Sequence, residues 1–318
     1  MNFTKSHREN LEVTIDPEDL PNFSLSRDVD PAEEQAMKEQ TPIDVARAFL
    51  IELEKAFMAH QMEELLYLYD RKFNKISETI FKTTPWPSAA EVEDSSDGLE
   101  FDLTTHFLYG ELCYRHIYAR LQQITPEVRL KSFENYMNLF ETFIETREKI
   151  ILPIAWVYDI LDEFLYQFQT FCQSRSKMKE DDPNMEIYLQ DPDNIWNFEK
   201  VEWILQELVK KSGVIKDGKV IDAKEKTAVQ YFGYFAIVSQ LRLYVLVCDY
   251  ENAIKSVECI DYQSIPIFTK AFNCLITLFY YTGFAYLMNK RYRESIKLFE
   301  LVLTCWLKYK QFYSKSFQ

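Results

Sequence analysis

At 318 residues, with 47% hydrophobic and 15% aromatic content, the chain can fill two domains or one extended repeat array. Only 6 glycines exclude a turn-rich β protein and glycine-loop nucleotide sites. The net charge of −14 is concentrated in segments that read as tails and loops. Residues 1–40 hold 10 acids against 4 bases, residues 85–102 six acids and no base, and residues 178–199 seven acids against one lysine.

In chain order, residues 1–40 are polar and proline-punctuated, and read as a disordered acidic tail unable to offset its ordering entropy. Residues 41–177 read as an N-terminal helical bundle. Thr41-Pro42 opens a helix with Val45, Phe49, Leu53 and Phe57 in phase. A second runs from about Met62 to Phe81 and is stopped by K-T-T-P-W-P, because each proline pushes its predecessor out of helical geometry. A third spans about Leu103 to Gln122, and Thr125-Pro126-Glu127 caps a fourth reaching about Lys149.

The densest apolar run follows, LPIAWVYDILDEFLYQFQTFCQSRSK from Leu152 to Lys177. Pro153 suits a first helical turn. Trp156, Ile160, Phe164, Phe168 and Phe171 mark a buried face, and Asp159, Asp162, Glu163, Gln167 and Thr170 leave a narrow polar stripe. That stripe reads as a solvent- or partner-facing edge of a central packing helix. A second reading treats Asp159, Asp162 and Glu163 as magnesium ligands of an all-helical prenyl-transfer enzyme. That chemistry needs a facing acidic motif, for which only Glu180-Asp181-Asp182 is available.

Residues 178–193 read as an acidic linker, and residues 194–318 as helical repeats. A helix from about Phe198 to Lys211 ends at Ser212-Gly213. Val214 to Ile221 carries Asp-Gly between two β-prone triplets and predicts one small β-hairpin. Gly213 to Lys219 imitates a phosphate-binding loop, but Val220 stands where Ser or Thr must ligate magnesium. From about Lys224 to Tyr309 the chain repeats itself: D-Y-E-N-A-I-K-S-V and R-Y-R-E-S-I-K-L-F each follow a long apolar helix. Tyr250/Tyr292, Ala253/Ser295, Ile254/Ile296 and Val257/Phe299 correspond, with Gly283 matched by Leu241 in the looser copy. These are tetratricopeptide-like hairpins, so the expected fold is all-α, a bundle followed by a right-handed solenoid.

The six cysteines are scattered through apolar runs, as in a reduced intracellular protein. The uncharged run Ala271 to Asn289 contains Asn273, Thr277 and Thr282 and reads as a buried repeat helix rather than a membrane span. His7, His60, His106 and His116 lack zinc-site spacing, so no catalytic residue, metal or cofactor is expected. Residues 289–318 carry seven Lys or Arg against two Glu. The basic, aromatic end, Lys308, Lys310, Phe312, Tyr313, Lys315 and Phe317, is the candidate interaction site, for an acidic partner or for RNA.

Several stretches together resemble one family. F-N-K-I-S-E-T-I-F-K-T-T-P-W-P (Phe73–Pro87), Y-R-H-I-Y-A-R (Tyr114–Arg120), R-L-K-S-F-E-N-Y-M-N-L-F (Arg129–Phe140) and the run around Trp156 are similar to the L-subunit family of eukaryotic translation initiation factor 3. I-W-N-F (Ile195–Phe198), G-Y-F-A-I-V-S-Q-L-R-L (Gly233–Leu243), D-Y-E-N-A-I-K and G-F-A-Y-L-M-N-K-R-Y (Gly283–Tyr292) continue it in order. The resemblance implies a non-enzymatic cytoplasmic scaffold that joins the K and E subunits and, through them, the small ribosomal subunit. It also implies a PCI module ending in a winged helix, and the sequence reads as stopping before it. An exposed repeat end is then expected to pair with a copy of itself. The related reading is a PCI scaffold of the proteasome lid or the COP9 signalosome.

Overall fold

The computed structural model describes residues 29–316 apart from 96–97, 99, 122–123, 180–181, 183, 191–194, 224 and 262–265. Helices begin where side chains can accept the first orphan N–H groups. The Asp30 carboxylate accepts from Ala32 N–H at 2.9 Å to start α1 (Pro31–Glu39). Thr41 caps α2 (Pro42–Met58), Ser88 and Glu91 form a capping box on α5 (Ala89–Asp94), and Asp102 caps α6 (Leu103–Arg120). Thr125 caps α7 (Pro126–Glu145), and α8 (Ile154–Lys177) starts on Pro153. Between α2 and α5 the chain runs through α3 (Met62–Tyr67), a π turn (Leu68–Lys72) and α4 (Phe73–Thr79).

The chain divides into two compact units, with the boundary between Ile204 and Leu205. In the first, the proline loop delivers Trp86 into a cage of Phe49, Phe73, Phe81 and Tyr109 at centroid distances of 4.5–6.2 Å. Its indole N–H donates to Ser77 Oγ at 3.0 Å, and Tyr109 O–H donates to the Pro87 carbonyl at 2.8 Å. The loop that stops α4 is therefore also a core element.

Three acidic segments differ from their sequence reading, the first being the loop of residues 85–102, within which residues 89–94 form α5. Residues 31–39, assigned to the tail, form α1, while residues 1–28 lie outside the described residues. α1 buries Met37, and its carboxylates reach basic residues below: Glu33 with buried Lys72, and Glu34 with Lys75 at 2.8 Å. Lys72 also pairs with Glu52 of α2 at 2.6 Å. The acidity that suggested mobility here supplies the docking. Likewise, residues 184–190 of the acidic linker form α9 (Asn184–Gln190), whose Tyr188 packs edge-on against Phe171, with centroids 5.3 Å apart.

α10 (Phe198–Ser212) leads into β1 (Ile215–Lys216) and β2 (Lys219–Val220), an antiparallel pair in register Ile215 to Val220. Asp217 and Gly218 both have positive φ, 50° and 72°, which is the two-residue turn that Asp-Gly predicts. The repeat region follows as α11 (Ala228–Leu246), α12 (Tyr250–Val257), α13 (Pro266–Lys270), α14 (Phe272–Met288) and α15 (Tyr292–Ser316). α11 packs on α12 and α14, and α14 packs on α15, as a repeat stack requires. The corresponding small positions Ala253 and Ser295 are both buried. A Cβ on Gly283 would sit 3.1 Å from Phe299 Cε1 and 3.3 Å from Leu298 Cβ, so the glycine sets how closely α14 meets α15. No described helix is long and apolar enough to cross a membrane.

Both hairpins turn in the same way. At the end of α11, Cys248 takes φ 64° and Asp249 N–H donates to the Tyr244 carbonyl at 2.8 Å. At the end of α14, Lys290 takes φ 61° and Arg291 N–H donates to the Tyr286 carbonyl at 2.8 Å. This is the Schellman closure, made here without glycine. It recurs between α2 and α3, where His60 takes φ 52° and Gln61 N–H donates to the Ala56 carbonyl at 2.9 Å. The bundle thus opens with a hairpin of the same turn grammar as the repeats.

Candidate interaction surface

Two places could carry function: the polar stripe of α8 and the outer face of α15. The first turns inward. Gln167 is fully buried, and Asp159 and Glu163 are half-buried on the side that meets α6. Glu111 of α6, with no exposed surface, accepts the Trp156 indole N–H at 3.0 Å and Arg115 Nε–H at 3.0 Å. Arg115 Nη1 donates to Tyr69 O–H at 2.9 Å, and Tyr69 donates to the Asp159 carboxylate. The Tyr69 ring stacks on Trp156, 5.2 Å between centroids and 12° between planes. The π turn presents Tyr69 to this line, which runs Asp159, Tyr69, Arg115, Glu111, Trp156 across three segments of chain.

The electrostatics follow from burial. Burial works against the Arg115 guanidinium, yet Glu111, Tyr69 and Asp159 hold its proton affinity well above the ordinary value. Burial raises the Tyr69 phenol well above its usual range and raises Asp159 against the pull of Arg115. Burial also pushes Glu163 up to about 7, although the Gln167 amide that donates to it at 2.9 Å works the other way. These carboxylates are engaged with Arg115, Tyr69 and Gln167. Among the described residues no group of three His, Cys, Asp or Glu side chains could share a metal ion. Of the facing acidic motif in the sequence reading, Glu180 and Asp181 lie outside the described residues, and Asp182 accepts the Asn184 N–H at 2.9 Å. The stripe is a polar lock between α6 and α8.

Glu163 gives a testable pH dependence. An unfolded glutamate titrates near ~4.3, so between that pH and about 7 the folded chain holds the extra proton. Its contribution is full below that range and is lost as pH rises through about 7. Glu163→Gln removes the liability and keeps an acceptor for Gln167. At pH 8 the variant is expected to be more stable than the parent by ~1–2 kcal/mol, less than the full ~1.4 kcal/mol per pH unit because part of the residue stays in water. At pH 4 the two should coincide in urea melts. A constant difference across that range would mean that the carboxyl does not titrate as described.

The second place is the basic, aromatic end. Lys308 is exposed on α15. Lys310, Phe312, Tyr313 and Lys315 lie within the same helix, and Phe317 lies outside the described residues. Sequence reasoning missed the surface just upstream. Tyr292, Ile296, Leu303, Trp306 and Leu307 are each 53–63% exposed, although the opposite face, Ser295, Leu298, Leu301 and Cys305, is buried. The signal was available: Tyr292, Ile296, Phe299, Leu303 and Trp306 follow a 4-3-4-3 spacing, a second apolar face on a helix that already has one.

Residues 128–318, well over half of the chain, match the protein family described as RNA polymerase I-associated factor PAF67. The chain belongs to this PAF67 family. The match begins in the first turn of α7 and runs through the repeats, so it covers both α8 and α15. Curated relatives carry the name eukaryotic translation initiation factor 3 subunit L. The Nematostella vectensis protein is 37% identical over 265 residues, 78% of this chain and 50% of that one. The Homo sapiens protein is 36% identical over 250 residues, 74% of this chain and 44% of that one. For Danio rerio the figures are 36% over 250 residues, 74% and 43%. The chain spans about half the length of these relatives. The family resemblance read from Phe73–Pro87, the Trp156 run and the repeats is thereby met.

Proposed function

We propose that this chain is a non-catalytic scaffold component of eukaryotic translation initiation factor 3, acting in the cytoplasm. One observation carries the reading: relatives 36–37% identical over three quarters of the chain bear the name of that factor's L subunit. The architecture suits it, since stacked helical hairpins offer extended faces for other proteins and the half-buried carboxylates Asp159 and Glu163 of α8 are engaged in packing against α6. In this reading residues 41–177 form the supporting bundle, and residues 194–318 present the interaction end that includes Lys308. The contacts are with other subunits of the factor, the K and E subunits by resemblance, and through them with the small ribosomal subunit.

The test is recovery of the affinity-tagged 318-residue chain from eukaryotic cells, with immunoblots for the K and E subunits. Both are expected in the eluate. A folded bait that recovers neither overturns the reading, and recovery of proteasome-lid subunits instead transfers it to the sister assembly.

A further inference from the structure

α1 is held to the bundle by charge more than by burial. Its nine residues fall short of the ~12 that an isolated helix needs, and of them only Met37 is buried. Glu33, Glu34 and Met37 share one helix face, while every other residue of α1 is exposed. That face rests on the π turn and α4, where Glu33 pairs with Lys72 and Glu34 with Lys75 at 2.8 Å. After α1 the chain is extended at Gln40 and Thr41, with ψ 161° and 152°. Pro42 keeps Thr41 out of helical geometry, so α1 joins α2 through a short hinge and does not continue it. Lys72, whose side chain is only 5% exposed, pairs with Glu52 of α2 at 2.6 Å as well. It therefore keeps a carboxylate when Glu33 leaves, and the departure of α1 strands no buried charge.

We propose that α1 is a strap closed over a docking site, and that an acidic helical segment of a partner protein takes the site when α1 swings out about Gln40–Thr41. The inference rests on the reading of this chain as a scaffold and names the chemistry of one partner. The segment that fits carries two glutamates and, three residues after the second, an apolar side chain, the pattern with which α1 fills the footprint. Lys72 and Lys75 accept the carboxylates, and the Met37 seat accepts the apolar group, which a nucleic-acid backbone does not bring. The tether holds α1 at an effective concentration of the order of millimolar, which keeps the strap closed until a partner binds more tightly or the ion pairs are weakened.

The experiment follows reductive methylation of Lys72 in the intact chain by mass spectrometry, with exposed Lys55 as the internal reference. Lys72 is expected to react slowly, and several times faster relative to Lys55 when salt is raised from about 0.05 M to about 0.5 M. Met37→Ser leaves both carboxylates of Lys72 in place and is expected to speed the reaction about fivefold or more by opening the strap. In that variant amide hydrogen exchange should rise in residues 31–39 and stay unchanged in α2. An acetylated peptide of residues 29–40 carrying Lys38→Arg, added to the Met37→Ser chain at millimolar concentration, should return Lys72 to its slow rate. The same peptide with Glu33→Gln and Glu34→Gln should not. A Lys72 rate indifferent to salt and to Met37→Ser would make α1 a fixed part of the bundle and overturn the proposal. So would protection by both peptides or by neither. An oligouridine that protects Lys72 as well as the acidic peptide would assign the site to nucleic acid, and a wild-type dimer in light scattering that Met37→Ser dissolves would assign it to α1 of a second copy. Either result overturns the proposal. If the tagged wild type recovers the K and E subunits while neither peptide protects Lys72, this inference falls and the scaffold reading stands.

Discussion

Glu111→Ala is expected to cost the folded chain ~3–5 kcal/mol, the penalty for removing one partner of a buried charge pair. The carboxylate has no exposed surface, and three donors end on it: the Trp156 indole, the Arg115 guanidinium and, at 3.5 Å, the Tyr136 phenol. Without it the indole N–H is left in an apolar site, and Arg115 keeps only Tyr69 and the Asp159 carboxylate at 3.8 Å. Stranding a buried donor costs more than its hydrogen bond contributed, because desolvation is no longer repaid. The pair itself need not be strongly stabilising, and a double variant separates the two statements. Glu111→Leu combined with Arg115→Met should recover most of the loss, since an apolar replacement of a buried pair is often neutral. Urea melts of the parent, both single variants and the double give the cycle. A double variant no better than the sum of its parts would show that packing, and not uncompensated charge, sets the cost. A Glu111→Ala chain that melts with the parent would remove the polar lock altogether.

What the sequence disclosed depended on how local the signal was. The buried face of α8, from Trp156 to Phe171, is a periodicity within one helix, and each of its aromatics is buried. The α11–α12 and α14–α15 hairpins were legible because one copy could be compared with the other. The hairpin at His60 was not, since no glycine marks its turn and its second helix runs into a π turn. Charge was the weaker guide. Runs of acids suggested a disordered tail at residues 31–39 and a linker at residues 184–190, but a carboxylate's role depends on what it meets. Glu33 and Glu34 meet Lys72 and Lys75. The same limit explains the stripe of α8: periodicity placed Asp159 and Glu163 on one face, while the Arg115 that turns the face inward belongs to another helix. On α15 the difficulty reverses. A second apolar face is read as burial on two sides, and only the packed structure shows that one side is covered and the other open.

Phe164→Ala tests the packing half of the same helix, with an expected loss of ~3–5 kcal/mol. Phe164 is fully buried, and its ring lies 5.0 Å from Phe140, 5.3 Å from Tyr136 and 5.2 Å from Trp196. Trp196 arrives from beyond α9 and is pinned by its indole N–H to the Arg129 carbonyl at 2.9 Å, so it cannot readily slide into the space a missing ring would leave. α7 contributes Tyr136 and Phe140 from a capped helix that is held just as firmly. A cavity bounded by fixed rings stays open, which places the cost at the upper part of the range. Phe164→Leu keeps most of the volume and should cost less than ~2 kcal/mol. The two causes of instability in α8 also separate by pH. Phe164 has no polar group, so its penalty should be equal at pH 5 and pH 8, whereas Glu163→Gln should differ from the parent mainly at the higher value. Denaturation of Phe164→Ala at both pH values decides the matter: no loss at either would mean that α8 is not the packing centre of its unit, and a loss confined to one would mean that its aromatic face and its polar stripe are not independent.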